Sequence, residues 1–468
     1  MSGLPVLADR AVTAALLARH DQEGPRYTSY PTAVELHEGF DEAAYAERLA
    51  AANTRADDPW SLYMHLPFCQ ERCLYCGCHV LISPEKRRAA PYLEDLRREI
   101  DLVAGHVPDR RTFAQLHLGG GTPTYFAPAE LDALLGFLEE RFTAVPGAER
   151  AVEVDPKVTT EEHVAVLGAR GFNRMSMGVQ DFAPAVQEAV QRVQTPEETA
   201  RLLAAARRSG FRGVNADLIY GLPRQTPEDF ERTIETVIEL GFDRAAVYGF
   251  AFVPWIRTHQ KQLPVDELPG RDDRYALFSV ARERFLAAGY VAIGMDHFAK
   301  PDDELAVALR EGRLRRNFQG YTTLPGEDVL AFGLSGIGDV DGALVQNQKK
   351  LLPYRNAVRA GRLPVMKGVR RTADDRLRAA VIAELMCNLR VDIPAIEERF
   401  GIDFRATFAE DLAELEGSVA DGLVEVDADS IRATDAGTLF VRNLARSFDR
   451  YWREKHATSD QPRFSRTV

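Results

Sequence analysis

Ser61-Leu-Tyr63-Met-His-Leu66-Pro-Phe-Cys69-Gln-Glu-Arg-Cys73-Leu-Tyr75-Cys76-Gly-Cys78-His79 begins as a short apolar run and ends in four cysteines within ten residues. The run Ser61–Leu66 reads as a buried strand, and the cysteines follow at its C-terminal end. The first three have the spacing C-x3-C-x2-C. Three thiolates this close can hold a 4Fe–4S cluster while leaving one iron open to a further ligand. A disulfide framework does not fit, because the fifth cysteine, Cys387, is remote and nothing else marks a secreted scaffold. Structural zinc is the competing reading. It normally takes two close ligand pairs separated by a longer spacer, whereas these cysteines share one short turn.

Outward from this stretch, short apolar runs alternate with amphipathic ones. Strands are expected at Ser61–Leu66, Gln115–Leu118, Ala151–Val154, Arg174–Met177, Val214–Ile219 and Arg244–Phe250. Helices are expected at Tyr92–Ala104, Ala129–Phe142, Glu161–Ala169 and Pro227–Leu240, the last with Phe230, Ile234, Val237 and Ile238 at helical spacing. Alternation of this kind predicts an α/β fold on a parallel sheet, and six units predict a partial, three-quarter β/α barrel rather than a closed one of eight. Chemistry then belongs at the C-terminal strand ends. Residues 1–50 read as a polar N-terminal arm, with a short helix over Ala11–Ala18 and a proline-punctuated surface loop at Tyr27–Thr32. Residues 51–370 read as the catalytic domain. Residues 371–468 read as a mainly helical, winged-helix-like unit: helices at Thr372–Asn388 and Ala406–Asp421, a hairpin at Leu423–Ala433, and a final helix over Asp435–Tyr451.

The chain has 468 residues, 45% of them hydrophobic, and a net charge of −12. That balance argues against nucleic-acid binding as its business. No apolar run reaches the ~18 residues a membrane span needs, and Met1–Arg10 lacks the basic start of a signal peptide. A cytoplasmic protein with reduced thiols is expected, and nothing demands more than a monomer.

Each strand end carries a motif. Gly119-Gly-Gly-Thr-Pro123 follows the second strand and reads either as a tight turn or as a backbone cradle with free N–H and C=O groups. Glu153 and Asp155 close the third strand, Glu153 as a ligand contact and Asp155 as a helix N-cap. Ser176-Met-Gly-Val-Gln180 closes the fourth, and Arg192 follows, able to fork onto a carboxylate but by spacing alone a surface residue. Asp217 sits inside an apolar strand, where burial demands a partner, a ligand or an arginine. Arg310, Arg313, Arg315 and Arg316 crowd one stretch, either an anion pocket or a solvated face. Gly333-Leu-Ser-Gly-Ile-Gly338 reads as a loop whose Ile337 could pack on a flat ring.

These residues together resemble the radical S-adenosylmethionine enzymes, and within them the oxygen-independent coproporphyrinogen III oxidases. The resemblance rests on Tyr27–Thr32, Tyr63–Cys78, Gly119–Tyr125, Ser176–Phe182, Asp217–Gln225, Phe298–Ala306, Asn317–Thr323 and Phe464-Ser-Arg466. It implies that Cys69, Cys73 and Cys76 ligate a 4Fe–4S cluster, and that Cys78 follows the triad without ligating it. It implies two molecules of S-adenosylmethionine, contacted by Tyr63, Tyr75, Gly120, Gly121, Thr122, Glu153, Gln180, Arg192, Asp217, Ala251 and Ile337, with Glu153 counted among the catalytic residues. Relatives that act as heme chaperones usually carry Phe where this chain has Cys78, so Cys78 favours the oxidase over a heme-binding chaperone.

The implied reaction is the anaerobic oxidative decarboxylation of coproporphyrinogen III to protoporphyrinogen IX in heme biosynthesis. An electron donor that the sequence does not identify reduces the cluster, and a 5′-deoxyadenosyl radical attacks two propionate side chains. A tetracarboxylate substrate would also give the arginine-rich stretch a purpose.

Overall fold

The computed structural model describes residues 12–324 and 328–456 together with Phe464 and Arg466. Met1–Arg10, Ala11 at the start of the expected first helix, and Ser465 lie outside the described residues.

All six expected strands form. They are β1 (Trp60–Leu66), β2 (Thr112–Gly120), β3 (Thr143–Val154), β4 (Arg174–Gln180), β5 (Gly213–Tyr220) and β6 (Arg244–Gly249), paired in that order and parallel throughout. Helices Ala90–His106, Pro128–Glu139, Glu161–Ala169, Pro196–Arg208, Pro227–Leu240 and Arg271–Ala287 separate or follow them. Thr-Pro pairs set two helix starts: Thr195 and Thr226 accept from the N–H three residues on, at 3.2 Å each, with proline in the first turn. Helix Pro227–Leu240 stops at Gly241, whose φ of 81° most side chains would resist. β1 is buried at six of its seven positions, as a parallel strand covered on both faces should be.

The sheet extends beyond the six units. Val329–Phe332 pairs parallel to β1 on its other side, and Ile337–Val340, Ala343–Asn347 and Val365–Arg370 follow antiparallel. Beyond β6, His297–Ala299 and Val291–Ile293 add two short antiparallel strands. Twelve strands therefore form one sheet among the described residues. It curls around an interior, since side chains from β1 through β6 line one cavity.

One hydrophobic core joins the sheet to its helices. A second core joins the C-terminal elements to Val12, Leu17, Tyr27 and Tyr30 of the arm. Tyr27–Thr32 is therefore not a surface loop. Tyr27 and Tyr30 are 5% and 3% exposed, Tyr27 donates to Asp449 at 2.9 Å, and Tyr30 accepts from the Arg450 N–H at 3.1 Å. Two expected helices are broken at buried phenylalanines: Ala406–Asp421 at Phe408, and Asp435–Tyr451 at Phe440 and again near Phe448. Packing holds the break at Phe408, whose ring lies tilted against Phe404 at 4.6 Å and edge-on to Phe448 at 5.5 Å. No helix among the described residues is long and apolar enough to cross a membrane.

Candidate active site

The cysteine loop is held from several sides. Its ends are pinned where Phe68–Cys69 pairs with Leu81–Ile82. Leu74 is buried and donates its N–H to Val190 O at 3.0 Å. The segment after β6 supplies three donors aimed at loop carbonyls: Gln260 to Tyr75, His259 Nε2 to Cys76 and Arg257 to Gly77, each at 2.9 Å. Three half-buried thiols result, Cys69, Cys73 and Cys76, while Cys78 is exposed.

They line a cavity of about 400 Å³ at the C-terminal ends of the parallel strands. Of the residues expected to touch ligands, it brings together Tyr75, Gly120, Gly121, Thr122, Glu153, Gln180, Arg192 and Asp217 with the four cysteines. Tyr63, Ala251 and Ile337 are not part of this lining. Tyr63 lies between His65 and His117 on neighbouring strands, with its hydroxyl 2.9 Å from His65 Nδ1. The Ala251 carbonyl accepts from Gln260. Ile337 begins the strand Ile337–Val340.

The glycine run is a close-packed corner. A Cβ on Gly119 would lie 2.8 Å from the Glu153 carboxylate, and one on Gly121 would meet the Pro67 and Phe68 carbonyls at 2.7 Å. Its N–H groups are not free, contrary to expectation. Gly120 N donates to Glu153, Gly121 N to Leu66 O and Thr122 N to Phe68 O.

Asp155 is not a helix N-cap. The next helix starts at Glu161 under Thr160, while Asp155 accepts from the Lys157 N–H and from Arg192 at 2.9 Å. Arg192 is no surface residue either: it is 7% exposed and also donates to Gly178 O at 2.7 Å and Cys73 Sγ at 3.5 Å. Asp217 finds no arginine; Ser176 and Asn215 donate to it at 2.7 and 2.9 Å. Burial, reinforced by Glu153, pushes the Asp217 carboxyl up to about 6 against those bonds and the field of His297. Burial also acts on Glu153, but His117 at 3.0 Å and the Gly120 N–H outweigh it and hold the acid below its ordinary range.

Sequence reasoning missed three histidines, His117 and His65 beside Glu153 and His297 near Asp217. His117 bonds Glu153. His65 is lowered to about 4 by burial and is neutral, so Nε2 donates to His79 O and Nδ1 accepts from Tyr63. Period-two alternation with Tyr63 and with Gly119 would have flagged His65 and His117 as inward-facing. His297 lines a second, inner chamber of about 330 Å³, which shares Cys78, Glu153, Ser176 and Asp217 with the first. The arginine stretch does not form one pocket. Arg310 donates to Pro301 O, Arg313 pairs with Glu311 and Arg315 with Glu384, while Arg316 alone turns inward over Tyr321.

The donor set suits an iron–sulfur cluster. Among the described residues no three His, Cys, Asp or Glu side chains converge as one bound ion would require. Three thiols sharing a cavity without converging match a body with separate metal corners. Hydrogen bonding from Cys78 lowers Cys76 to about 6, and the Cys78 N–H lies 3.4 Å from its sulfur. Burial pushes the Cys69 thiol up to about 12 against the hydrogen bond with Thr122, and a bound cation would hold it as the thiolate.

The profile of the Radical SAM superfamily matches residues 63–237, and that of the HemN C-terminal domain matches residues 372–440. The chain is 42% identical to the oxygen-independent coproporphyrinogen III oxidase of Pseudomonas aeruginosa, over 97% of its own length and 98% of that protein. Against the protein of the same name from Synechocystis sp. it is 39% identical, with 97% and 98% covered. The solved structure of coproporphyrinogen III oxidase (HemN) from Escherichia coli, described as a radical SAM enzyme, matches with a TM-score of 0.87 at 43% identity, covering 91% of this chain and 97% of that one.

Proposed function

The chain belongs to the oxygen-independent coproporphyrinogen III oxidase family of radical S-adenosylmethionine enzymes, and from that membership we propose that it is the oxidoreductase converting coproporphyrinogen III to protoporphyrinogen IX in heme biosynthesis. The observation that carries this reading is the meeting of Cys69, Cys73 and Cys76 with Glu153, Arg192 and the Gly120–Thr122 corner at one cavity. A 4Fe–4S cluster and S-adenosylmethionine supply, when bound, the 5′-deoxyadenosyl radical that removes a hydrogen from a propionate side chain, which then loses carbon dioxide and an electron.

Cys69, Cys73 and Cys76 would hold the cluster, and Cys78 would stabilise the Cys76 sulfur without ligating it. Arg192 braces Cys73 and fixes Asp155 in the same stroke. Glu153, kept ionised by His117, suits the cationic portion of S-adenosylmethionine, and the neutral His65 and Tyr63 hold the wall behind it. Two adjoining chambers support two molecules of S-adenosylmethionine. Tyr63, Ala251 and Ile337 enter as contacts by family resemblance alone. We assign residues 1–50 to an arm, 51–370 to the catalytic domain and 371–468 to a C-terminal domain that shields the barrel mouth from water. A cytoplasmic monomer served by a separate one-electron donor, with no nucleic-acid or membrane partner, completes the reading.

Anaerobic protein reconstituted with iron and sulfide, reduced, and given S-adenosylmethionine and coproporphyrinogen III tests it. The expected products are 5′-deoxyadenosine, carbon dioxide and protoporphyrinogen IX. Reduced four-iron protein that leaves S-adenosylmethionine intact would refute the proposal, and stoichiometric heme binding without carbon dioxide release would point to the chaperone instead.

A further inference from the structure

His297 sits in the inner chamber with a nitrogen that no other described residue bonds. It opens the strand His297–Ala299, in register with Ala246 of β6, which is in register with Asp217 of β5 on its other side. His297 and Asp217 therefore face the same chamber across one small residue, about 10 Å apart. His297 Nδ1 lies 2.6 Å from Asp296 Oδ1. Although Asp296 is buried, His297, Arg316 and Arg26 pull its carboxyl down to about 2. An ionised carboxylate only accepts, so Nδ1 carries the proton and Nε2 is left for something else. Among the described residues Nε2 has no hydrogen-bond partner. Edge contacts from Tyr248 at 5.7 Å and Tyr321 at 5.1 Å fix the ring.

Arg316 lies behind it, 4.5 Å over the Tyr321 ring, with Nε and Nη1 buried and without partners among the described residues. Arg26 reaches the far oxygen of Asp296 at 3.3 Å. One carboxylate, Asp296, thus faces two guanidinium groups and an imidazole, while Glu153 and Asp217 face the same chamber from β3 and β5. Of these groups His297, Glu153 and Asp217 line the chamber, whose wall also carries Glu149 and the Glu304-paired Arg174 and Arg244, while Asp296 and Arg316 stand behind His297.

We propose that His297, backed by Asp296 and Arg316, is a carboxylate-binding site on the wall of the inner chamber. It rests on the function proposed above, which supplies two sources of a carboxylate there: a propionate of the tetrapyrrole, or the methionyl carboxylate of a second S-adenosylmethionine. In either case the ring binds as the imidazolium, donating Nδ1–H to Asp296 and Nε2–H to the anion, and the cationic part of a ligand lies toward Glu153 and Asp217.

The test titrates holoenzyme with coproporphyrin III, its tetramethyl ester and S-adenosylmethionine. His297→Asn keeps an amide N–H for Asp296 and deletes Nε2, whereas His297→Gln restores a donor near the Nε2 position. The expected result is about tenfold weaker binding of the free acid by His297→Asn, less than about a twofold change for the ester, and partial recovery in His297→Gln. Loss of one equivalent of S-adenosylmethionine with unchanged porphyrin binding supports the site and assigns the carboxylate to the methionyl group. Arg316→Met carries the same test should the histidine variants fail to fold. Wild-type affinity for both ligands in His297→Asn, or in Arg316→Met if the histidine variants misfold, overturns the proposal. Failure of the parent reading is seen separately: a wild-type holoenzyme that releases no carbon dioxide from coproporphyrinogen III removes the reaction and this site together.

Discussion

Cys76 and Cys78 stand two residues apart and differ in what they can do. Cys76 has a lowered pKa and faces the cavity beside Cys69 and Cys73, while Cys78 donates its N–H to the Cys76 sulfur. Cys69→Ala is expected to abolish the visible absorbance of the reconstituted cluster, and Cys78→Ser to retain most of it. Equal loss in both spectra would remove the distinction. The cysteines and Glu153 were legible in the sequence because their chemistry travels with the side chain. Arg192 came through family resemblance but not through spacing, because its burial depends on Gln191 adopting a φ of 56° and turning the chain back toward Gly178. His297 gave no signal for a similar reason: its partner Asp296 is the preceding residue, but the chamber it faces is built from distant strands.

At the level of elements, helix Ala90–His106 steers the turn at Gly333. Glu99 on that helix is buried and accepts from Tyr354, the Gly333 N–H and Asn347, and Tyr92 bridges His65 O to the Leu334 N–H. Burial outweighs the three donors and pushes the Glu99 carboxyl from 4.5 up to about 7. Between those values the folded protein keeps a proton that the unfolded chain has lost, so this stabilisation is whole below about 4.5 and is lost as pH rises through 7. Its span is roughly 3 kcal/mol. Thermal melts between about pH 5 and pH 8 should show that decline in the wild type and a flatter profile in Glu99→Gln. The same turn marks where reading the sequence stopped. The six parallel strands announced themselves as apolar runs between helices. The glycine-rich Gly333–Gly338 read only as loop, because the strand it leads into pairs with Val329–Phe332, itself laid on β1, and that partner rather than its own residues decides the pairing.

Across the whole molecule, the arm and the C-terminal elements behave as one body. Val12, Leu17, Tyr27 and Tyr30 share a core with helix Ala373–Asn388 and its neighbours. Arg442 stitches them, donating to the carbonyls of Gly24, Pro25 and Arg466. Burial, with Arg26 close by, lowers the Arg442 guanidinium to about 9, and these carbonyls are among the groups that satisfy its buried donors. Arg442→Met is expected to destabilise the protein by roughly 2–4 kcal/mol and to release the arm to proteases before the barrel opens. Limited proteolysis with mass analysis of the fragments checks both. Composition showed an arm and a helical tail. It could not show that they share a core, since that contact joins the two ends of the chain.

The clamp of Arg257, His259 and Gln260 on the carbonyls of the cysteine loop ties that loop to the barrel through bonds that do not involve its thiols. A zinc finger collapses when stripped, because its ion supplies the folding energy. Here a chelator should empty the thiols and shift stability by no more than roughly 2 kcal/mol in a calorimetric scan. A repair machinery delivering iron and sulfide after oxidative damage would then meet a socket already in shape, and reloading would proceed at the pace of supply rather than of refolding.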